Sequence, residues 1–207
     1  MRNFTLSEIV SIGVAMFALI SSLYDIYSVS KNNKNKDNEP MKYDYIDIIA
    51  SLTISLIALS CVFVFSPVHV SGESMEPTYK DGQWLLENKL SKNYEVGDVI
   101  VFYAPEKDKK LIKRIVAKGG DTVEVKNLKL YVNGEEVSED YTTIPFEVDF
   151  PATTVPEGEF FVIGDNRPIS LDSRYDSIGF VNPKYIEGEI IEFKKKETTS
   201  LFLIIWK

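Results

Sequence analysis

"DVIVFYAPEKDKKLIKRIVAKG", residues 98–119, decides how the carboxyl-terminal two thirds of this chain fold. Two runs, "DVIVFYAP" (98–105) and "KLIKRIVAKG" (110–119), are rich in β-branched and aromatic residues and read as strands. Lys107, Lys109 and Lys110, where the two runs meet, lie in a solvated, charged run. Further strand-like runs surround this pair: "QWLLENKL" (83–90), "TVEVKN" (122–127), "LKLYVNGEEV" (128–137), "EFFVIGD" (159–165) and "EIIEFKKK" (189–196). The Asn133-Gly134 pair is a hairpin turn signal, and Pro and Gly punctuate the remainder. No long run with a 3.6-residue period interrupts them. The fold expected for 69–207 is therefore mostly β, a compact antiparallel domain, with "LFLIIWK" (201–207) as a last strand or a strip at a membrane interface.

Working outward to the amino end, the pattern changes. "IVSIGVAMFALISSLY" (9–24) and "IIASLTISLIALSCVFVFSPV" (48–68) hold no charged residue. A bilayer core takes a helix of roughly 17–25 apolar residues. Both runs are read as transmembrane helices: a first segment in 1–28, a polar loop over 29–46 and a second segment over 47–68. The loop carries Lys31, Lys34, Lys36 and Lys42 against a lone Arg2 before the first segment. Lysine-rich loops stay on the cytoplasmic side, so the β domain is expected outside a cell membrane crossed twice. A buried core helix is the alternative for either run, and a cleaved signal peptide a further one for the first.

Composition narrows the chemistry. The 207 residues carry a net charge of −8, which argues against a nucleic-acid binder. One cysteine (Cys61) and one histidine (His69) leave neither a disulfide nor zinc-type spacing, so no metal or cofactor is expected. Cys61 lies in the second apolar run, which removes it as a nucleophile. His69, at the membrane exit, reads as a solvated interface residue.

A turn that follows the second apolar run, "VSGESMEPTYKDGQW" (70–84), offers serines instead. A serine hydroxyl needs a base to take its proton. With histidine set aside, a desolvated lysine can serve, because burial lowers an ammonium pKa by ~3 units or more. Lys113 stands between Ile112 and Arg114, and alternation puts it on one face with Leu111 and Ile115. That pattern alone fits either a buried base or a snorkelling surface lysine. "GDNRPISLDSRYDSIG" (164–179), dense in short polar side chains after an apolar strand, fits either a surface turn or a rigid polar shell round a site.

Taken together, "SGESMEPT" (71–78), "YEVGDVIVF" (94–102), "LIKRIVAKGGD" (111–121) and "GDNRPISLDSR" (164–174) resemble, in order, the four boxes of bacterial type I signal peptidases, in their compact Gram-positive form. The resemblance spans roughly residues 50–193 and implies a membrane-bound serine endopeptidase that removes signal peptides after small residues. By it, Ser74 is the nucleophile and Lys113 the general base. Ser170 would orient the lysine, Asp172 and Arg174 would form an ion pair near the site, and Asp165, Asn166 and Arg167 would form its supporting loop. Val70, Met75, Tyr79, Leu111 and Ile112 would line the substrate pockets. Some members carry an oxyanion-binding serine where this chain has Gly72, so the Ser74 backbone N–H is expected to carry the oxyanion. The implied partners are membrane-held preproteins at the export site and the lipid bilayer, with the enzyme a monomer. A self-cleaving Ser/Lys repressor-type protease would carry a DNA-binding module in front, and a tethered binding module would leave Lys113 exposed and far from Ser74. From Val68, six residues at ~3.3 Å each put Ser74 within roughly 20 Å of the second segment.

Overall fold

Strand β3 (Val99–Ala104) is apolar at every position except Tyr103, and a strand of that kind must be covered on both faces. In the computed structural model, which describes residues 63–191 and helical residues at 13, 16–17, 19–28, 49–50, 52–54, 56–57 and 60, it is. Ile100, Phe102 and Ala104 face a cluster with Tyr94, Ile115, Val162 and Ile186. Val99 and Val101 face another with Val70, Met75, Tyr79 and Ile190.

Around β3 the sheet is built from β1 (Phe65–His69), β2 (Trp84–Asn88), β10 (Ile186–Ile190), β4 (Lys109–Lys118) and β9 (Phe160–Ile163), in the order β1-β2-β10-β3-β4-β9. All neighbours are antiparallel, as the alternation predicts. A second sheet has the order β7-β6-β5-β8, from β5 (Thr122–Lys126), β6 (Lys129–Val132), β7 (Glu135–Glu136) and β8 (Phe150–Thr154). Its turn at Asn133-Gly134 takes positive φ at both residues (55° and 83°), the conformation that a tight hairpin demands. Val123, Val125 and Leu130 of this sheet pack with Val116, Ala117, Phe161 and Ile163 of the first.

Two expectations for the amino end change. Residues 65–68, assigned above to the second apolar segment, form β1 and pair with β2 from Phe65↔Asn88 to His69↔Trp84. Their Phe and Val content suits a strand as well as a span, and Pro67 is tolerated because β1 is an edge strand. The β domain thus starts at Phe65. Ser74 lies ten residues beyond helical Val64, a reach of up to ~33 Å rather than ~20 Å. Among the described residues no helix is long and apolar enough to cross a membrane. The loop expected at 29–46 and the terminal "LFLIIWK" lie outside the described residues.

Gly119 joins the two sheets. A Cβ there would stand 2.6 Å from the Gly158 nitrogen and 2.8 Å from the Pro156 oxygen, both backbone atoms that cannot swing aside. Gly119→Ala is therefore expected to destabilise the domain by about 1–3 kcal/mol, read as a lowered urea midpoint with an unchanged slope.

Candidate active site

The turn from Val70 to Gln83 is closed by paired backbone bonds, Val70 N–H to Gln83 O (2.9 Å) and Gly82 N–H to Val70 O (3.0 Å). Gly72 sits at φ +96°, which a side chain would strain, and its N–H donates to Asp81 Oδ1 at 2.7 Å. The positive φ explains the glycine, and the bond commits its N–H elsewhere, so Gly72 is a poor oxyanion donor. Val70, Met75 and Tyr79 drop into the core and pin the turn, leaving Ser74 half-buried at its crest.

Lys113 reaches this crest from β4. It lies opposite Ile100 of β3 and is 2% exposed. Its Nζ donates to Ser74 Oγ at 2.7 Å and to the Ile112 carbonyl at 2.8 Å. Burial lowers its pKa from 10.5 to about 8, against the opposing pull of Asp172 and Asp165. The snorkelling alternative is thereby set aside: the ammonium end is inside, in contact with the serine.

The polar cluster after β9 hangs on the same turn. Asn166 donates through its backbone N–H to Ser74 O (3.1 Å) and through Nδ2 to Glu73 O (3.1 Å). Asp172, wholly buried, accepts from Arg174 Nε (2.8 Å) and Nη2 (2.9 Å) and from the Gly164 N–H (3.1 Å). Arg174 Nη2 also donates to Arg167 O at 2.8 Å, closing the loop on itself. Gly164 has to be a glycine: a Cβ there would lie 2.5 Å from Ser74 O and 2.7 Å from Ser170 Cβ.

Two expectations meet a different geometry. Ser170 is buried beside Gly164, but its Oγ has no hydrogen-bond partner, and Lys113 is held by Ser74 and the Ile112 carbonyl instead. Leu111 and Ile112 do not line one surface. Ile112 joins Val70, Met75 and Tyr79, whereas Leu111 packs with Ile100, Phe102 and Ile115 on the other face, as adjacent strand residues must. His69 is exposed, as expected, with its ring tilted against that of Trp84 at 5.0 Å between centroids.

Sequence reasoning missed Arg114. It pairs through Nε (3.0 Å) and Nη2 (2.8 Å) with Asp165, and both side chains are nearly inaccessible. The signal was available: an arginine beside Lys113 in an apolar strand cannot shed its proton and needs a carboxylate. Thr78, Glu139 and Tyr141 were missed as well. A groove of about 940 Å³ runs past Tyr79, Trp84, Leu86, Arg114 and Tyr141. Neither Ser74 nor Lys113 lines it.

Residues 42–193 match the family model described as signal peptidase, peptidase S26. A signal peptidase I of Bacillus licheniformis is 35% identical over 77% of this chain and 89% of its own length. Signal peptidase IB of Staphylococcus aureus is 35% identical over 72% and 89%. A crystal structure of a signal peptidase I from Enterococcus faecalis is 36% identical, covering 48% of this chain and 97% of that one, with a TM-score of 0.43.

The buried lysine has a thermodynamic consequence. Between pH 8 and 10.5 the unfolded chain holds a proton that the folded one has lost, so stability rises with pH through that window. Lys113→Met is expected to stabilise the domain at pH 7 by about 3 kcal/mol, and the gap should close as pH rises through the window. Urea titrations of both proteins at pH 7, 9 and 10.5 check this.

Proposed function

The chain belongs to the signal peptidase family, peptidase S26, and on that premise we propose that it is a membrane-bound serine endopeptidase that cuts signal peptides from secreted preproteins with Ser74 and Lys113. The observation that carries this reading is the 2.7 Å contact between Lys113 Nζ and Ser74 Oγ, made by a lysine that burial brings toward neutrality. Nucleophile and base at that separation need no rearrangement before proton transfer.

In the proposed cycle, neutral Lys113 takes the Ser74 proton as Oγ attacks the carbonyl of the scissile bond. The tetrahedral oxyanion rests on the Ser74 backbone N–H. The ammonium of Lys113 then protonates the leaving amine as the C–N bond breaks, leaving an acyl-enzyme and a neutral lysine. Water attacks the ester, its proton passing to Lys113 and on to Ser74 Oγ as the acid product leaves. Asn166 supports the serine by holding the carbonyls of Glu73 and Ser74. Ser170, Asp165, Arg167, Asp172 and Arg174 act as a frame for these two groups. Val70, Met75, Tyr79 and Ile112 form the apolar wall against which small side chains of an Ala-x-Ala site would sit, and Leu111, on the other face of β4, is left out of it.

The membrane reading draws support from the helical residues at the amino end. Phe17, Ile20, Leu23, Ile49, Ile54, Leu56, Ile57 and Phe63 are all more than half exposed, which is costly in water and favourable in lipid. We take both amino-terminal segments as spans, with the β domain outside the cell and the enzyme a monomer. Substrates held in the bilayer by their own apolar segment would then meet a site whose domain starts immediately after a span.

Ser74→Ala and Lys113→Ala should each abolish cleavage of a preprotein with an Ala-x-Ala site by the full-length protein in detergent, while the far-UV spectrum stays that of wild type. Processing retained by either variant removes that residue from the mechanism. Because the lysine acts as a neutral base, the wild-type rate should climb with pH to a plateau above about 8. A rate that falls from pH 7 upward would contradict a lysine base.

A further inference from the structure

Residues 139–146, "EDYTTIPF", have no regular secondary structure, yet they make polar or ring contacts with four residues of the buried ion-pair network. Glu139 takes Arg167 in a two-pronged pair (2.9 and 2.5 Å). The Tyr141 ring covers the Arg114 guanidinium, whose central carbon is 4.2 Å from the ring centroid. Thr142 Oγ1 donates to the Asp165 carbonyl at 2.9 Å. Buried Phe146 lies under two guanidinium groups, Arg167 at 4.5 Å and Arg174 at 5.3 Å. Thr78, four residues after the serine, joins in by donating to Asp165 Oδ2 at 2.5 Å.

From these contacts we infer that segment 139–146 is a strap that positions the reacting pair, with Tyr141 its key positioning residue. The inference rests on the Ser74–Lys113 reading. The mechanical path is short. Tyr141 and Arg114 both line the open groove, and the Tyr141 ring covers one face of the guanidinium there, so the ring limits how much solvent reaches the Arg114–Asp165 pair. Asp165 precedes Asn166, which grips the carbonyls of Glu73 and Ser74. Removing the ring admits water to the ion pair and lets the 164–167 loop relax away from the serine turn. Its hydroxyl matters less: it donates to Glu139 at 2.7 Å, and burial raises its pKa, so it stays neutral.

A loosened strap also hydrates Lys113. The charges that act on it are Asp172, Asp165, Lys109 and Arg174, with burial the largest influence, and hydration moves its pKa back up from about 8. Each unit of rise costs about tenfold in neutral lysine at a pH well below it. Full-length Tyr141→Leu should therefore lose about tenfold in kcat at pH 7 with KM little changed, and its rate should recover as pH is raised. Tyr141→Phe, which restores the ring, should rescue both.

The deciding measurement needs no substrate: the NMR titration of Lys113 in 13C-lysine-labelled protein, its resonance identified by Lys113→Arg. An upward shift in Tyr141→Leu, reversed in Tyr141→Phe, supports the strap. An unchanged midpoint in folded Tyr141→Leu overturns it, as does a rate loss that no pH restores. Should Tyr141→Leu fail to fold, Glu139→Gln must give the same upward shift, and no shift there overturns the inference. A shifted titration in a protein that cleaves no preprotein would keep the strap and reject the peptidase reading instead.

Discussion

Two neighbouring cations on one strand, both buried, set the terms for this domain. Lys113 and Arg114 are consecutive in β4, so they leave the sheet on opposite faces, and they are only 2% and 5% exposed. An unpaired buried charge would cost several kcal/mol, and the two side chains escape that cost in different ways. A guanidinium cannot give up its proton, so Arg114 needs a carboxylate and obtains Asp165 from a loop 51 residues away. An ammonium can, and Lys113 lies against Ser74 with its pKa brought down by burial. One strand thus supplies a permanently charged anchor and a titratable group side by side.

The carboxylates make this arrangement delicate. Asp165 and Asp172 both favour a protonated Lys113, and either one left unpaired in so dry a place would oppose the effect of burial. Each is held by its own arginine, Asp165 by Arg114 and Asp172 by Arg174. The two ion pairs therefore do more than shape the loop: they shield the lysine from charges that would return its proton. Such pairs are poor sources of net stability, since desolvation consumes most of their attraction. Their value here lies in the field that they leave at Lys113.

What could be read from sequence follows from range. Strand alternation is local, and it placed Lys113 with Leu111 and Ile115 and gave the antiparallel sheet. Asn133-Gly134 is local too, and its turn formed as expected. The Ser74–Lys113 contact is not local. Local pattern left Lys113 open between a buried base and a surface lysine, and only the resemblance of the four boxes, taken together, paired it with Ser74. The partner of Arg114 had no such mark, since any of several aspartates could have served. Alternation also argued against Leu111 and Ile112 sharing a pocket, but the resemblance-based assignment set it aside. The start of β1 was hidden for a different reason: Phe65 to Val68 are as suited to lipid as to an edge strand, and only pairing with β2 distinguishes them.

Segment 139–146 was the least legible part, and the reason is instructive. It has no period, no regular element and no nucleophile, so sequence reasoning passes over it as a connection. Its residues matter for what they cover. A buried arginine offers two flat faces that hydrogen bonds in its plane leave bare, and aromatic rings are the side chains that can close them without adding charge. Tyr141 and Phe146 do this for three arginines. A site that depends on a dry lysine needs dry ion pairs, and dry ion pairs need lids. The aromatic residues of an irregular segment are thus as much a requirement of the chemistry proposed for Lys113 as the carboxylates that they enclose.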